Sequence, residues 1–187
     1  MAETVRSELI LGGQRSGKSR RAELLARQWL DASPAHRAVM VATGQAWDDE
    51  MRERIARHRR DRAERVPGMR TVEEPLALAE AVQAHSASQT LVVVDCLTLW
   101  LTNLMMPAEG APGDPDAPTF ALCNAIGHAH GPVVLVSNEI GLGVIPMGRD
   151  VRAFVDALGG LNQRVATVCA RVTLMAAGLP LTLKDVS

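Results

Sequence analysis

The sequence predicts an α/β domain: a mainly parallel sheet with helices on both faces and an antiparallel edge near the C-terminus. Three observations carry that prediction. Short aliphatic runs alternate with longer helical patterns along the chain, the order that builds strand–helix–strand units. Two of the runs, Leu91–Val94 and Val133–Val136, are unbroken aliphatics, as strands covered on both faces require. The length of 187 residues suits one domain, 1–187, that buries about 70% of its unfolded surface.

Each element follows from its local pattern. Leu9-Ile10-Leu11 reads as the first strand and runs into glycines; a helix then extends from about Lys18 to Leu30, with Ala22, Leu25 and Trp29 on one face. Ala38–Ala42 is a second buried strand. Trp47 to about Arg65 reads as a charged helix, and the acidic trio Asp48-Asp49-Glu50 suits the positive end of its dipole. Leu76 to about Ala84 is a short Ala-rich helix. A further helix begins near Leu97, and its apolar Leu97, Leu99, Trp100 and Leu101 suit either the core or a subunit contact. Pro107–Pro118 holds four Pro and two Gly in twelve residues, so a mobile surface loop is expected, either a tolerated insertion or a substrate lid. Arg171–Ala176 and Leu181–Leu183, separated by Gly178 and Pro180, read as a hairpin at the sheet edge.

Composition narrows the function. Twenty basic and 21 acidic residues leave a net charge of −1, against the basic excess of a dedicated nucleic-acid binder. Hydrophobic residues at 47% and charged residues at 22% exclude a mainly disordered chain. Cys96, Cys123 and Cys169 are too scattered for a disulfide framework or a CxxC metal site. His36, His85, His128 and His130 have no carboxylate or cysteine at ligand spacing, so no zinc site is expected. No stretch approaches the ~20 apolar residues of a membrane span, and Met1–Glu8 lacks the apolar segment of a secretory signal. A reducing, cytoplasmic setting is the expectation.

The chemistry begins at Gly12-Gly13-Gln14-Arg15-Ser16-Gly17-Lys18-Ser19, a full match to GxxxxGK[ST] placed between a strand and a helix. Glycines let backbone amides fold around anionic oxygens, and the helix that follows adds its positive dipole end. Lys18, one of only two lysines in the chain, is assigned to the β- and γ-phosphates, and Ser19 to Mg²⁺. Such a P-loop needs a second carboxylate on a neighbouring strand to orient the metal. Asp95 ends the run Leu91–Val94 and fits that role; it equally suits a cap of the helix starting near Leu97.

From Met51 to Arg65, seven Arg stand against three acids. At helical spacing Arg54, His58 and Arg62 form one row, with Met51 and Ile55 beside it facing the core. Cations on either side disfavour the imidazolium, and a neutral imidazole is a competent nucleophile toward a phosphate that arginines hold. A surface histidine on a solvated helix is the alternative.

Four blocks, GGQRSGKS, VATGQAWDDEMRERIARHRRDR, VVVDCLTLWLTNLM and VSNEIGLGVIPMGRDVRAFVDALGGLNQRVA, follow one another from Leu9 to about Ala166. Together they resemble the bifunctional adenosylcobinamide kinase/adenosylcobinamide-phosphate guanylyltransferase family of cobalamin biosynthesis. The resemblance implies a P-loop NTPase fold of RecA-like arrangement, a homotrimer and two reactions. ATP or GTP phosphorylates adenosylcobinamide; GTP then gives GMP to a histidine, from which adenosylcobinamide phosphate takes it to form adenosylcobinamide-GDP. His58 occupies the histidine of RIxxHxxxR. By the same resemblance Gly12–Ser19, Ala42, Thr43, Gly44, Arg59, Arg60, Asp61, Arg62, Glu73 and Asp95 border the nucleotide, with Ser19 and Asp95 on Mg²⁺. Asp95 stands where the family pattern also accommodates Glu, which keeps the charge but changes the reach. Glu73 equally suits a surface position before Pro75. Asn138, Glu139, Gly141 and Gly143 suit either a tight turn or substrate contact; Asn162 and Gln163 suit substrate or helix packing. A single-function P-loop kinase with a structural His58 is the competing reading. A module binding nucleic acid through the Arg-rich helix is a second, disfavoured by the net charge and the lack of interleaved aromatics.

Overall fold

The computed structural model describes residues 6–46, 49–144 and 146–186, and of Glu50, Met51, Arg54 and His58 the backbone only. Among them, seven strands form one sheet: β1 (Ser7–Gly12), β2 (Arg37–Ala42), β3 (Arg70–Glu73), β4 (Thr90–Asp95), β5 (Val133–Val136), β6 (Arg171–Ala176) and β7 (Leu179–Asp185), in the order β3-β2-β4-β5-β1-β6-β7. The first six are parallel to their neighbours, and β7 closes the edge antiparallel to β6. One strand, β5, separates the strand that enters the P-loop from the strand that ends at Asp95. The mainly parallel sheet and its antiparallel C-terminal edge are as the sequence predicts.

The alternation of side chains along each strand divides the core in two. Leu9, Val92, Val94, Val133 and Leu135 pack with α3 (Leu78–His85), α4 (Leu97–Met105), α5 (Asp116–Gly127) and α6 (Arg149–Val168). Ile10, Met40, Leu91, Val93 and Val136 face the other way, onto Ala22 and Ala26 of α1 (Lys18–Ala32) and Val66 just after α2 (Asp49–Arg65). β4 and β5 are buried on both faces, hence their unbroken aliphatic runs. Leu97, Trp100 and Leu101 are fully buried, which assigns them to the core. Trp100 also satisfies its indole N–H on the Leu76 carbonyl at 2.9 Å.

Two boundaries differ from expectation, each for a local reason. The helix expected from Leu76 starts at Leu78, because the Glu74 carboxylate accepts the amides of Leu76 and Ala77 and holds them in a turn. The loop expected over Pro107–Pro118 ends early: α5 begins at Asp116 and contains Pro118 in its first turn, where a missing N–H breaks no helical bond. The charged helix is described over Asp49–Arg65; its expected first residues, Trp47 and Asp48, lie outside the described residues. β3 is an additional strand on the sheet edge.

Candidate phosphate-binding and group-transfer site

Parallel pairing brings the C-terminal ends of the strands to one edge. Ala42 is in register with both Glu73 and Asp95, Asp95 with Val136, and Val136 with Ile10, two residues before Gly12. The P-loop, Ala42–Gly44, Glu73 and Asp95 therefore share the edge where open α/β sheets bind ligands.

The cradle needs its glycines at two points. Gly12 has φ 151°, and a Cβ there would stand 2.5 Å from the Met175 carbonyl oxygen. Gly17, with φ 102°, abuts Gly178, whose Cα would lie 3.3 Å from a Cβ. Between them Arg15 also takes a left-handed conformation, φ 56°. Lys18 opens α1 and is nearly buried; its ammonium donates to the Gly13 carbonyl at 2.6 Å. Burial lowers its pKa, with Asp95 among the charges that oppose the shift. Ser16 Oγ is buried and makes no protein hydrogen bond, so the loop holds a hydroxyl ready for an anionic oxygen.

Asp95 is set by its backbone. Thr43, fully buried, donates its amide to the Asp95 carbonyl at 3.2 Å. Its hydroxyl donates to the Cys96 carbonyl at 2.7 Å and accepts the Cys96 amide at 3.0 Å. Asn103 in turn donates to the carbonyls of Thr43 and Pro75 at 2.8 and 3.0 Å. Cys96 occupies the N-cap position of α4. Burial pushes the Cys96 thiol up to about 11, which leaves it protonated and unreactive at neutral pH.

Helix α2 runs along the β3 edge. Ile55 lies 3.8 Å from a Cβ built on Gly44, and Arg59 pairs with Glu73. Arg62 is buried and donates to Thr71 Oγ1 at 3.2 Å. Arg65 reaches across to Glu23 of α1 at 3.0 Å and to Asp61 at 3.6 Å. Arg60 is exposed. His58 sits in the helical turn between Ile55 and Arg62; its side chain, like that of Arg54, lies outside the described atoms.

Residues of the NEIG block serve the turn after β5. The Glu139 amide donates to Gly12 O at 3.1 Å, and its carboxylate accepts the Gly141 amide at 2.7 Å. The Asn138 amide donates to Thr98 Oγ1 at 2.9 Å, and Asn162 donates to the Asn138 carbonyl at 3.1 Å. Gln163 is exposed. His36 stacks on Trp29 with ring centroids 3.7 Å apart, a structural role.

Residues 8–183 match the family described as cobinamide kinase / cobinamide phosphate guanyltransferase (CobU). The chain belongs to this family. It is 48% identical over 177 residues to the bifunctional adenosylcobalamin biosynthesis protein CobP of Pseudomonas aeruginosa, covering 95% of this chain and 96% of the relative. The proteins called CobU in Escherichia coli and Salmonella typhimurium are 35% and 34% identical, each covering 94% of this chain and 98% of the relative. Among solved structures, the flagellar accessory protein FlaH of Methanocaldococcus jannaschii aligns with a TM-score of 0.54 at 11% identity, over 96% of this chain and 78% of that one. A protein of Pyrococcus horikoshii OT3 aligns at 0.55 and 10%, over 99% and 89%. These two likenesses concern the fold.

In this cobinamide kinase family member, sequence reasoning overlooked three contacts at the edge: Thr98 beneath Asn138, Met175 against Gly12, and the Ala177-Gly178 turn against Ser16. None carries a motif, although the hairpin itself was readable. The site can accommodate a magnesium ion. Among the described residues no three of His, Cys, Asp or Glu gather as ligands. The Ser19 hydroxyl and Asp95 carboxylate are the hard oxygen donors that Mg²⁺ takes. A cavity of about 210 Å³ lined by Asp116, Thr119, Asp156 and Arg164 lies between α5 and α6, away from this edge.

Proposed function

We propose that the chain phosphorylates adenosylcobinamide with ATP or GTP and then converts the product to adenosylcobinamide-GDP through a guanylyl-histidine on His58. The observation that carries this reading is the assembly of the phosphate cradle, Lys18 and Asp95 on the sheet edge that the α2 turns around Ile55 and Arg59 approach. Family membership over nearly the whole chain supports both reactions.

In the first reaction the acceptor hydroxyl oxygen attacks the γ-phosphorus. The bond to the β–γ bridging oxygen breaks, the hydroxyl proton is lost, and a phosphate ester and nucleoside diphosphate result. In the second, an imidazole nitrogen attacks the α-phosphorus of GTP. The α–β bridging bond breaks and pyrophosphate leaves. An oxygen of adenosylcobinamide phosphate then attacks the same phosphorus; the P–N bond breaks and neutral imidazole returns. Charge grows on the departing phosphates in both reactions, and donors already aimed at them lower the barrier. Lys18 and the P-loop amides supply those donors. Mg²⁺, held by Ser19 and Asp95, would supply further charge neutralisation. Arg59 and Arg62 lie on the α2 face toward β3 and are assigned to steadying the GMP, along with the border formed by Ala42–Gly44, Arg60, Asp61 and Glu73.

The same reading includes a homotrimer in the cytoplasm, the former tested by sedimentation equilibrium. No described helix is long and apolar enough to cross a membrane. The chemical test compares α-labelled with γ-labelled GTP, followed by denaturing electrophoresis. Acid-labile label retained only from the α-position, and lost in His58→Ala, is the expected result. No retained label between about pH 7 and 9, the range in which a histidine is unprotonated, would leave a single-function kinase.

A further inference from the structure

The C-terminal hairpin touches the phosphate cradle. β6 and β7 are joined by two residues, Ala177 at φ 50° and Gly178 at φ 80°, the pair of left-handed conformations that a tight two-residue turn requires. The second of those turn amides is free of the strand ladder. Here it donates to the Ser16 carbonyl at 3.0 Å. The approach is close, with Gly178 Cα and Met175 Cε at 3.3 and 3.5 Å from a Cβ built on Gly17. A trans peptide points its C=O and N–H to opposite sides. Fixing the Ser16 carbonyl toward the hairpin therefore turns the Gly17 amide away from it, the orientation in which a glycine loop offers amides to an anion.

We infer that Gly178 is a positioning residue of the nucleotide site: through the Ser16–Gly17 peptide, its amide orients a phosphate-binding N–H used in both reactions. This rests on the nucleotide chemistry proposed above. The inference makes the sheet's antiparallel edge part of the phosphate site rather than a terminal ornament of the fold.

Cys169 offers a ligation point for the test. A thioester of residues 1–168 is joined to a synthetic peptide of residues 169–187 in which glycolate replaces Gly178, so that an ester oxygen stands in for the N–H. A semisynthetic chain of natural sequence is the reference. Titration with methylanthraniloyl-GTP and -ATP is expected to show both Kd values raised by roughly 3–10-fold, the net worth of one hydrogen bond. KM for the nucleotide should rise by the same factor in both reactions with kcat unchanged. Gly178→Asn keeps the N–H, tolerates positive φ and meets open space at Cβ, so its Kd should stay within about twofold, well inside one hydrogen bond's worth. Gly178→Val, expressed as the full chain, cannot hold the turn and should weaken binding as the ester does. A lower melting temperature with unchanged Kd in the ester and Val chains assigns Gly178 a structural role only and overturns the inference. A reference chain that binds neither nucleotide overturns the proposed function, and this inference with it.

Discussion

Two adjacent glycines in the cradle make a matched experiment. At Gly12 a Cβ would sit 2.5 Å from the Met175 carbonyl oxygen and 2.6 Å from Ser16 Oγ, with φ at 151°. At Gly13 a Cβ would meet nothing within 4 Å, and φ is not positive. The serine hydroxyl can rotate aside. The Met175 carbonyl cannot, because it belongs to β6, paired to β1 through the Gly12–Met175 register. Gly12→Ala must therefore push β1 and β6 apart or strain the turn. Positive-φ strain contributes about 1–3 kcal/mol, and backbone overlap about 1–3 more, which makes a loss of about 2–6 kcal/mol. Gly13→Ala should stay within about 0.5 kcal/mol of the parent. In urea, with a slope of about 2 kcal/mol per molar, the first midpoint falls by about 1–3 M and the second barely moves. Equal midpoints for the two variants would falsify the reasoning, because Gly12 alone combines a positive φ with backbone in the path of the added methyl.

Lys18→Met should keep the fold and lose nucleotide. A buried phosphate-directed charge is worth about 2–5 kcal/mol when truncated, so Kd for GTP should rise by roughly 30-fold or more, read by titration calorimetry. The same variant tests the lowered Lys18 pKa. The unfolded chain holds that proton up to the ordinary 10.5, so the folding penalty is full below the lowered native value and disappears as pH rises toward 10.5. Parent stability should climb across that window relative to Lys18→Met, and parallel urea midpoints would rule the penalty out. On α2, Arg65→Ala strips the ion partner from Glu23, which is 7% exposed, and should cost about 1–3 kcal/mol. Arg59→Ala breaks a pair exposed at both ends and should cost less than about 1 kcal/mol, so a larger loss for Arg59 in thermal unfolding would contradict the burial difference.

The legible parts of the chain were those whose local pattern had one physical reading. The two aliphatic central strands are an example: Leu91–Val94 and Val133–Val136 have no polar side chain to face solvent, so a doubly covered strand was the available solution. The P-loop was equally clear, because its glycines and lysine follow from the anion they hold. β3 escaped because Arg-Thr-Val-Glu at the sheet edge buries little, and its pairing to β2 is decided by tertiary context. α5 escaped because Pro118 sits in its first turn, where a proline is harmless, directly after a Pro- and Gly-rich stretch. Asp95 had two local readings, metal ligand and helix cap, because a carboxylate that ends a strand just before a helix suits both. The arginines of α2 were readable as a basic row but not as individuals: Arg62 is buried against Thr71 while Arg60 is exposed, a division set by β3.

The strand order explains why the cradle is shaped before any ligand arrives. β1 lies between β5 and β6, and both neighbours reach past its end to hold the loop. On the β5 side the Glu139 amide takes the Gly12 carbonyl at 3.1 Å; on the β6 side the Gly178 amide takes the Ser16 carbonyl at 3.0 Å. Each bond draws a carbonyl oxygen outward, and the peptide N–H on the far side of the same plane turns the opposite way. An anion is repelled by carbonyl oxygens and attracted by amides, so drawing carbonyls off the loop's inner side raises its affinity at both ends. The ordering of those peptides is then part of the folding free energy rather than a cost charged to nucleotide binding. An isolated glycine-rich segment of the same sequence would have to order itself at the moment of binding; between two strands it does not.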